Sequence, residues 1–130
     1  MNTRTLARIA AFTLPTLTLV ASLQLPAGAV TPAGHLTLHQ HQYQGGDSRS
    51  FNVSHPKLKN ASFNDKASSV YNRTSVAWIL YDDTGYGSTC WCIPAGRSVD
   101  DLHLNPWRFG DKISAVKRLD VPGCGWLPTL

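Results

Sequence analysis

The chain has 130 residues, with 12 Lys and Arg against 8 acidic residues, and every acid is Asp. The lack of Glu removes the commonest buried general acid and the bidentate ligand of helix–loop–helix calcium sites. Neither a Gly-x-Ser-x-Gly elbow nor a Cys–His pairing offers a nucleophile, which argues against an enzyme.

Residues 1–29 read as an export signal. Arg4 and Arg8 give a basic start, residues 9–25 are apolar and uncharged, and Ala27-Gly28-Ala29 has the small residues of a peptidase site, so cleavage falls before Val30. Pro15 and Pro26 interrupt the stretch, which is short for a span of about 20 residues, and no membrane span is expected. The expected mature chain, residues 30–130, is secreted and monomeric, of a size for one domain, with a tail from about residue 120. Without Arg4 and Arg8 ten bases face eight acids, a net charge of +2, and they are scattered rather than striped. Nucleic acid is not the expected partner.

Past the signal the periodicity is that of strands. Leu36 and Leu38 alternate with His35, Thr37 and His39. With His41 these histidines read as the solvated face of an edge strand, and a zinc or copper surface is the rival reading. Arg49, Phe51 and Val53 alternate with Ser and Asn, and Val76, Trp78 and Leu80 with Ala77, Ile79 and Tyr81. Turns fall at Gly45-Gly46-Asp47, Asp82-Asp83-Thr84-Gly85 and Pro94-Ala95-Gly96. Leu102-His103-Leu104 is expected to add a short strand or helical turn. Asn52, Asn60 and Asn72 open Asn-x-Ser/Thr sequons, which in a glycosylating host would mark exposed loops. Of the four tryptophans, Trp78, Trp91, Trp107 and Trp126, at least two belong in the core.

Three cysteines fit an oxidising compartment with one bridge and one thiol over. Cys90 and Cys92 share a strand face, so either one can reach Cys124 and pin the tail. A metal or redox pair at Cys90 and Cys92 is disfavoured, because no further Cys-x-x-Cys or Cys–His spacing completes it.

The segment Phe63-Asn64-Asp65-Lys66-Ala67-Ser68-Ser69-Val70 returns as Phe109-Gly110-Asp111-Lys112-Ile113-Ser114-Ala115-Val116. Upstream of each copy stands an aromatic before a glycine, Tyr43 with Gly45 and Tyr86 with Gly87, as in a hairpin where glycine takes positive φ and the ring covers the turn. A repeat of roughly 40 to 50 residues implies a unit that buries its apolar face only against its copy. The two motifs, in the same order in both halves and spanning about Leu36 to Leu119, resemble the βγ-crystallin fold. That resemblance implies an all-β sandwich of two four-stranded Greek-key motifs, with Phe51, Phe63, Trp78, Leu80, Phe109, Ile113 and Val116 in its core.

In calcium-binding members of that family the Asx-Asx-x-x-Ser/Thr-Ser loops exchange ligands. Carried over, Asp65, Ser68, Asp111 and Ser114 would supply side-chain oxygens, and Lys66 and Lys112 their carbonyls. Gly110 and Ala115 depart from the pattern, so any calcium affinity should fall near the weak class of roughly 0.1–1 mM. The same Asp and Ser residues can instead hold tight turns without an ion. The first motif and the residues after it also resemble exported bacterial proteins that include crystallin-fold metallopeptidase inhibitors, which leaves the sequons unused. The expected function is inhibition of an extracellular peptidase, through Ile93-Pro94-Ala95-Gly96-Arg97 or through Pro122-Gly123-Cys124-Gly125-Trp126. The alternative is a calcium-binding or structural extracellular module, and a secreted toxin has only fold analogy behind it.

Overall fold

Alternating apolar residues in short runs give seven strands in the computed structural model, which describes residues 34–130. The expected export segment lies outside the described residues. The strands are β1 (Leu36–His39), β2 (Ser48–Phe51), β3 (Ser69–Asn72), β4 (Trp78–Tyr81), β5 (Cys90–Ile93), β6 (Ser98–Val99) and β7 (Ala115–Arg118), with a 3₁₀ turn at Leu58–Ala61. One antiparallel sheet runs β2-β1-β3-β6 and the other β5-β4-β7. β6, from the second repeat, pairs with β3 of the first, Val70 opposite Val99. In return His55 of the first repeat bridges Val116 in β7. Each repeat thus lends an edge to the other's sheet, and neither sheet is whole within one repeat.

The second sheet departs from the four-stranded expectation. Its fourth strand is reduced to the His55–Val116 bridge, with bonds of 2.8 and 3.0 Å. Pro56 follows at once and has no N–H to continue the ladder. Leu102-His103-Leu104 also forms no strand; Leu102 is buried, and the segment turns.

All seven expected core residues lie in one cluster between the sheets, with Trp78 fully buried and its indole N–H donating to Thr74 Oγ1 at 2.9 Å. Burying a side chain the size of Phe63 or Phe109 contributes about 1.5–3 kcal/mol. β1 is an inner strand between β2 and β3, not an edge, because both neighbours find its backbone free on either side. His39 is half-buried there, and burial, with the Arg73 cation second, holds its pKa below the ordinary histidine value. Among the described residues no cluster of three or more His, Cys, Asp or Glu converges on a metal position. No described helix is long and apolar enough to cross a membrane.

The hairpins are less alike than their sequences. Tyr86 takes φ 62° and packs on Tyr81, ring centroids 5.3 Å apart, as the motif suggests. Tyr43 takes φ 56° but is 75% exposed, and its N–H bonds the Asp100 carbonyl at 2.8 Å. In both hairpins the aromatic itself takes positive φ and the following Gly45 or Gly87 does not; the glycines that do are Gly46, at 71°, and Gly85, at 80°.

Candidate functional site

The two Asx loops meet head to tail. Asp65 and Asp111 both adopt left-handed backbone, at φ 54° and 56°. Their N–H groups bond across the repeats, Asp65 to Ile113 O at 3.1 Å and Asp111 to Ala67 O at 2.8 Å. Side chains exchange in the same sense. Ser114 Oγ donates to Asp65 Oδ1 at 2.9 Å and lies 3.3 Å from Lys112 O, while Ser68 Oγ donates to Asp111 Oδ1 at 3.4 Å. Asp65, Lys66, Ser68 and Asp111 line one open polar groove of about 520 Å³ together with Gln40, His41, Gln42 and His103.

The half-sites differ in chemistry. Around Asp65 a carboxylate, the Ser114 hydroxyl and the Lys112 carbonyl converge, all hard oxygen donors suited to calcium. Lys66 does not press its cation into this space, since its Nζ bonds Ser62 O at 3.3 Å. Around Asp111 the space is taken by His103, whose Nε2 lies 3.0 Å from Ser68 Oγ and 3.9 Å from Asp111 Oδ2. That half-site does not fit a cation as it stands. The last Ser of the motif turns out to be structural: Ser69 Oγ donates to His41 O at 2.6 Å and accepts from Gln44 N–H at 3.0 Å, which pins the first hairpin. Ala115, its counterpart, is buried with Ile79 and Tyr81 and has no such duty.

The two loops proposed from sequence as alternatives lie side by side at the other notable feature. Cys92 is bridged to Cys124, leaving Cys90 free, so Cys92 rather than Cys90 holds the tail. The tail then runs beside β5: Cys92 N–H bonds Pro128 O at 2.7 Å, and Leu130 N–H bonds Cys92 O at 2.8 Å. Leu127 packs against the outer face of β4 and β5, and Leu130 is buried in the main core. Upstream, Ala77 N–H holds Val121 O at 2.7 Å and Ala95 N–H holds Pro122 O at 3.0 Å, which joins the tail to the Pro94–Arg97 turn. Ile93 does not belong to the exposed turn. It is fully buried in β5, because the inward alternation of the strand carries through it, so the accessible part shrinks to Gly96 and Arg97 with Pro94 and Ala95 half-buried. At the crest of the tail Trp126 is 91% exposed and Val121 54%. Which tryptophan would stand outside was not readable from composition; its flanking Gly125 at φ 56° and the nearby cysteine were the available signals.

A two-sheet sandwich whose repeats exchange edges and Asx-loop hydrogen bonds is a βγ-crystallin-like domain, and solved structures agree. A βγ-crystallin from Ciona intestinalis superposes at TM-score 0.59 with 24% identity, covering 66% of this chain and 100% of its own. A βγ-crystallin from an archaeon gives 0.56 at 21%, covering 67% and 99%. IPSE/alpha-1 from Schistosoma mansoni eggs gives 0.52 at 22%, covering 66% and 84%. No curated protein sequence matches the chain. Residues 26–93, just over half the chain, match the profile of peptidase inhibitor family I36, and the chain belongs to that family. Family and fold together are those of a non-enzymatic protein.

Proposed function

We propose that the protein is an extracellular inhibitor of a secreted metallopeptidase, and that it docks through the stapled tail crest and the adjoining Pro94–Arg97 turn. The observation that carries this reading is a nearly bare tryptophan, Trp126, on a loop fixed on both sides by the disulfide and by backbone bonds to Ala77, Ala95 and Cys92. Such a loop loses little freedom on binding, and exposed aromatic anchors dominate many interfaces. Family membership supports a peptidase as the partner, and the sequence pattern of residues 1–29 supports export. The tail lies beyond the matched stretch, so its part rests on geometry.

The test is inhibition of a panel of secreted metallo-, serine and cysteine peptidases by the purified protein and by Trp126→Ala and Arg97→Ala. Trp126→Ala is expected to weaken inhibition of the metallopeptidase target by roughly 30- to 1000-fold, the range of 2–4 kcal/mol. Inhibition of no peptidase would overturn the reading, and unchanged inhibition by Trp126→Ala would remove the tail from it.

The three oxygens at the Asp65 half-site favour a second property, weak calcium binding at Asp65, Ser114 and Lys112. An ion at about ten times its Kd stabilises the folded state by about 1.4 kcal/mol, which raises the melting temperature of a domain this size by roughly 6–11 °C. Asp65→Ala should abolish most of that rise. Melting curves and titration calorimetry both unchanged at about 10 mM calcium, well above the weak class, would leave the loop purely structural without touching the inhibitor reading.

A further inference from the structure

The half-site around Asp111 is filled from within. His103 and Lys59 hold equivalent places, each following a leucine whose N–H bonds the opposite repeat's serine carbonyl: Leu58 to Ser114 O at 2.9 Å, Leu102 to Ser68 O at 2.8 Å. Both residues are exposed, but His103 turns its ring onto Ser68 and Asp111. The ring can lie there only because residue 110 has no side chain. A β-carbon built on Gly110 would overlap His103 at Cε1, Nδ1 and Cγ. Gly110 is not required by its backbone, since its φ lies outside the left-handed region.

We infer that His103 stands in the second half-site in place of a cation, and that Gly110, where the motif has Asx, is the counterpart change that makes room for the ring. Ser68 Oγ lies 3.0 Å from the imidazole Nε2 and 3.4 Å from Asp111 Oδ1, so the serine's hydrogen-bonding capacity is taken up by the ring and the carboxylate instead of an ion. The imidazole links the same serine and aspartate that a cation would link. Two changes seven residues apart in one segment are therefore one substitution in space, and together they free this half-site from any need for calcium. A side chain at residue 110 cannot be restored while His103 stays.

Two measurements test this, and only the second rests on the calcium reading. The first is a cycle of Gly110→Ala, His103→Ala and the double variant, melted in EDTA. Gly110→Ala should lower the melting temperature by about 5–10 °C beside His103 and by under about 2 °C in its absence, given the sensitivity of a domain this size. Equal drops in both backgrounds would overturn the pairing. The second is calorimetric titration with calcium chloride. His103→Ala with Gly110→Asp should bind one more ion than the unmodified protein, and Gly110→Asp alone should gain none. If the double variant gains no ion, or the unmodified protein already binds two, the histidine is not what closes the site.

Discussion

Asn72→Ala should lower the melting temperature by roughly 15–30 °C, one of the two largest effects expected of any single residue here. Asn72 is fully buried and its amide is saturated. Its Nδ2 donates to Val76 O at 2.8 Å, Pro94 O at 2.9 Å and, more weakly, Ile93 O at 3.3 Å. Its Oδ1 accepts from Thr74 N–H at 3.0 Å and from the Thr74 hydroxyl at 2.6 Å, and that hydroxyl in turn receives the Trp78 indole. Alanine strips all of these at once, and each buried group left without a partner costs about 1–3 kcal/mol. A total near 3–5 kcal/mol follows, large against the 5–15 kcal/mol typical of a whole domain. At about 4–8 °C per kcal/mol, that sum spans roughly 12–40 °C, and the range stated is its middle. Ser75→Ala, exposed and three residues on, should change melting little and serves as the control. A fall under about 5 °C for Asn72→Ala would mean that the network does not hold the two sheets. The same burial corrects the sequon reading: Asn72 is not an exposed loop position, and an attached sugar would be incompatible with this fold, whereas Asn52 and Asn60 are exposed as expected.

The fold was legible because its signals were redundant. The Asp-x-x-Ser repeat and the two aromatic–glycine hairpins each implied paired Greek keys, and every expected core residue is buried. What escaped was whatever depended on contact between distant segments. Ile79 and Tyr81 read as the outward face of β4 yet are buried, because the tail and Tyr86 cover them. Cys90 and Cys92 could not be told apart, since strand periodicity places both on one face; the path of the tail beside β5 selects Cys92. At the Asx loops the pairing of Asp65 with Ser114 and of Asp111 with Ser68 across the repeats follows the order of the motif. His103 was not legible, because it enters from a segment without a motif of its own. The one trace it leaves is a glycine where the pattern asks for Asx. Asn72 was invisible for a similar reason: in sequence it is a sequon, and only the packing of β3 against the Pro94 turn makes it a hub.

Removing the disulfide should separate stability from inhibition. The bridge joins residues 32 apart, and in the chain-entropy model a loop of that size contributes roughly 3–4 kcal/mol. Cys92→Ser with Cys124→Ser is therefore expected to lower the melting temperature by roughly 15–25 °C, and Cys90→Ser, at the unbridged cysteine, to change it little. At room temperature enough stability should remain for the sandwich to stay folded, because the main core does not depend on the bridge and is larger than the cluster formed by Cys92, Cys124 and Ala77. The crest is then held only by Ala77 and Ala95 on one side and by the Cys92 backbone on the other. A partner must pay for ordering it on binding, about 0.5–1.5 kcal/mol for each freed side chain and more for backbone. Inhibition measured well below the melting point should weaken by roughly 10- to 100-fold, and the tail should become the first site of cleavage by the target peptidase. If the bridge-free protein melts lower but inhibits as before, the staple serves stability alone and the crest is already rigid through its backbone bonds. If it melts unchanged, Cys92 and Cys124 do not constrain the unfolded chain in the way the entropy argument requires.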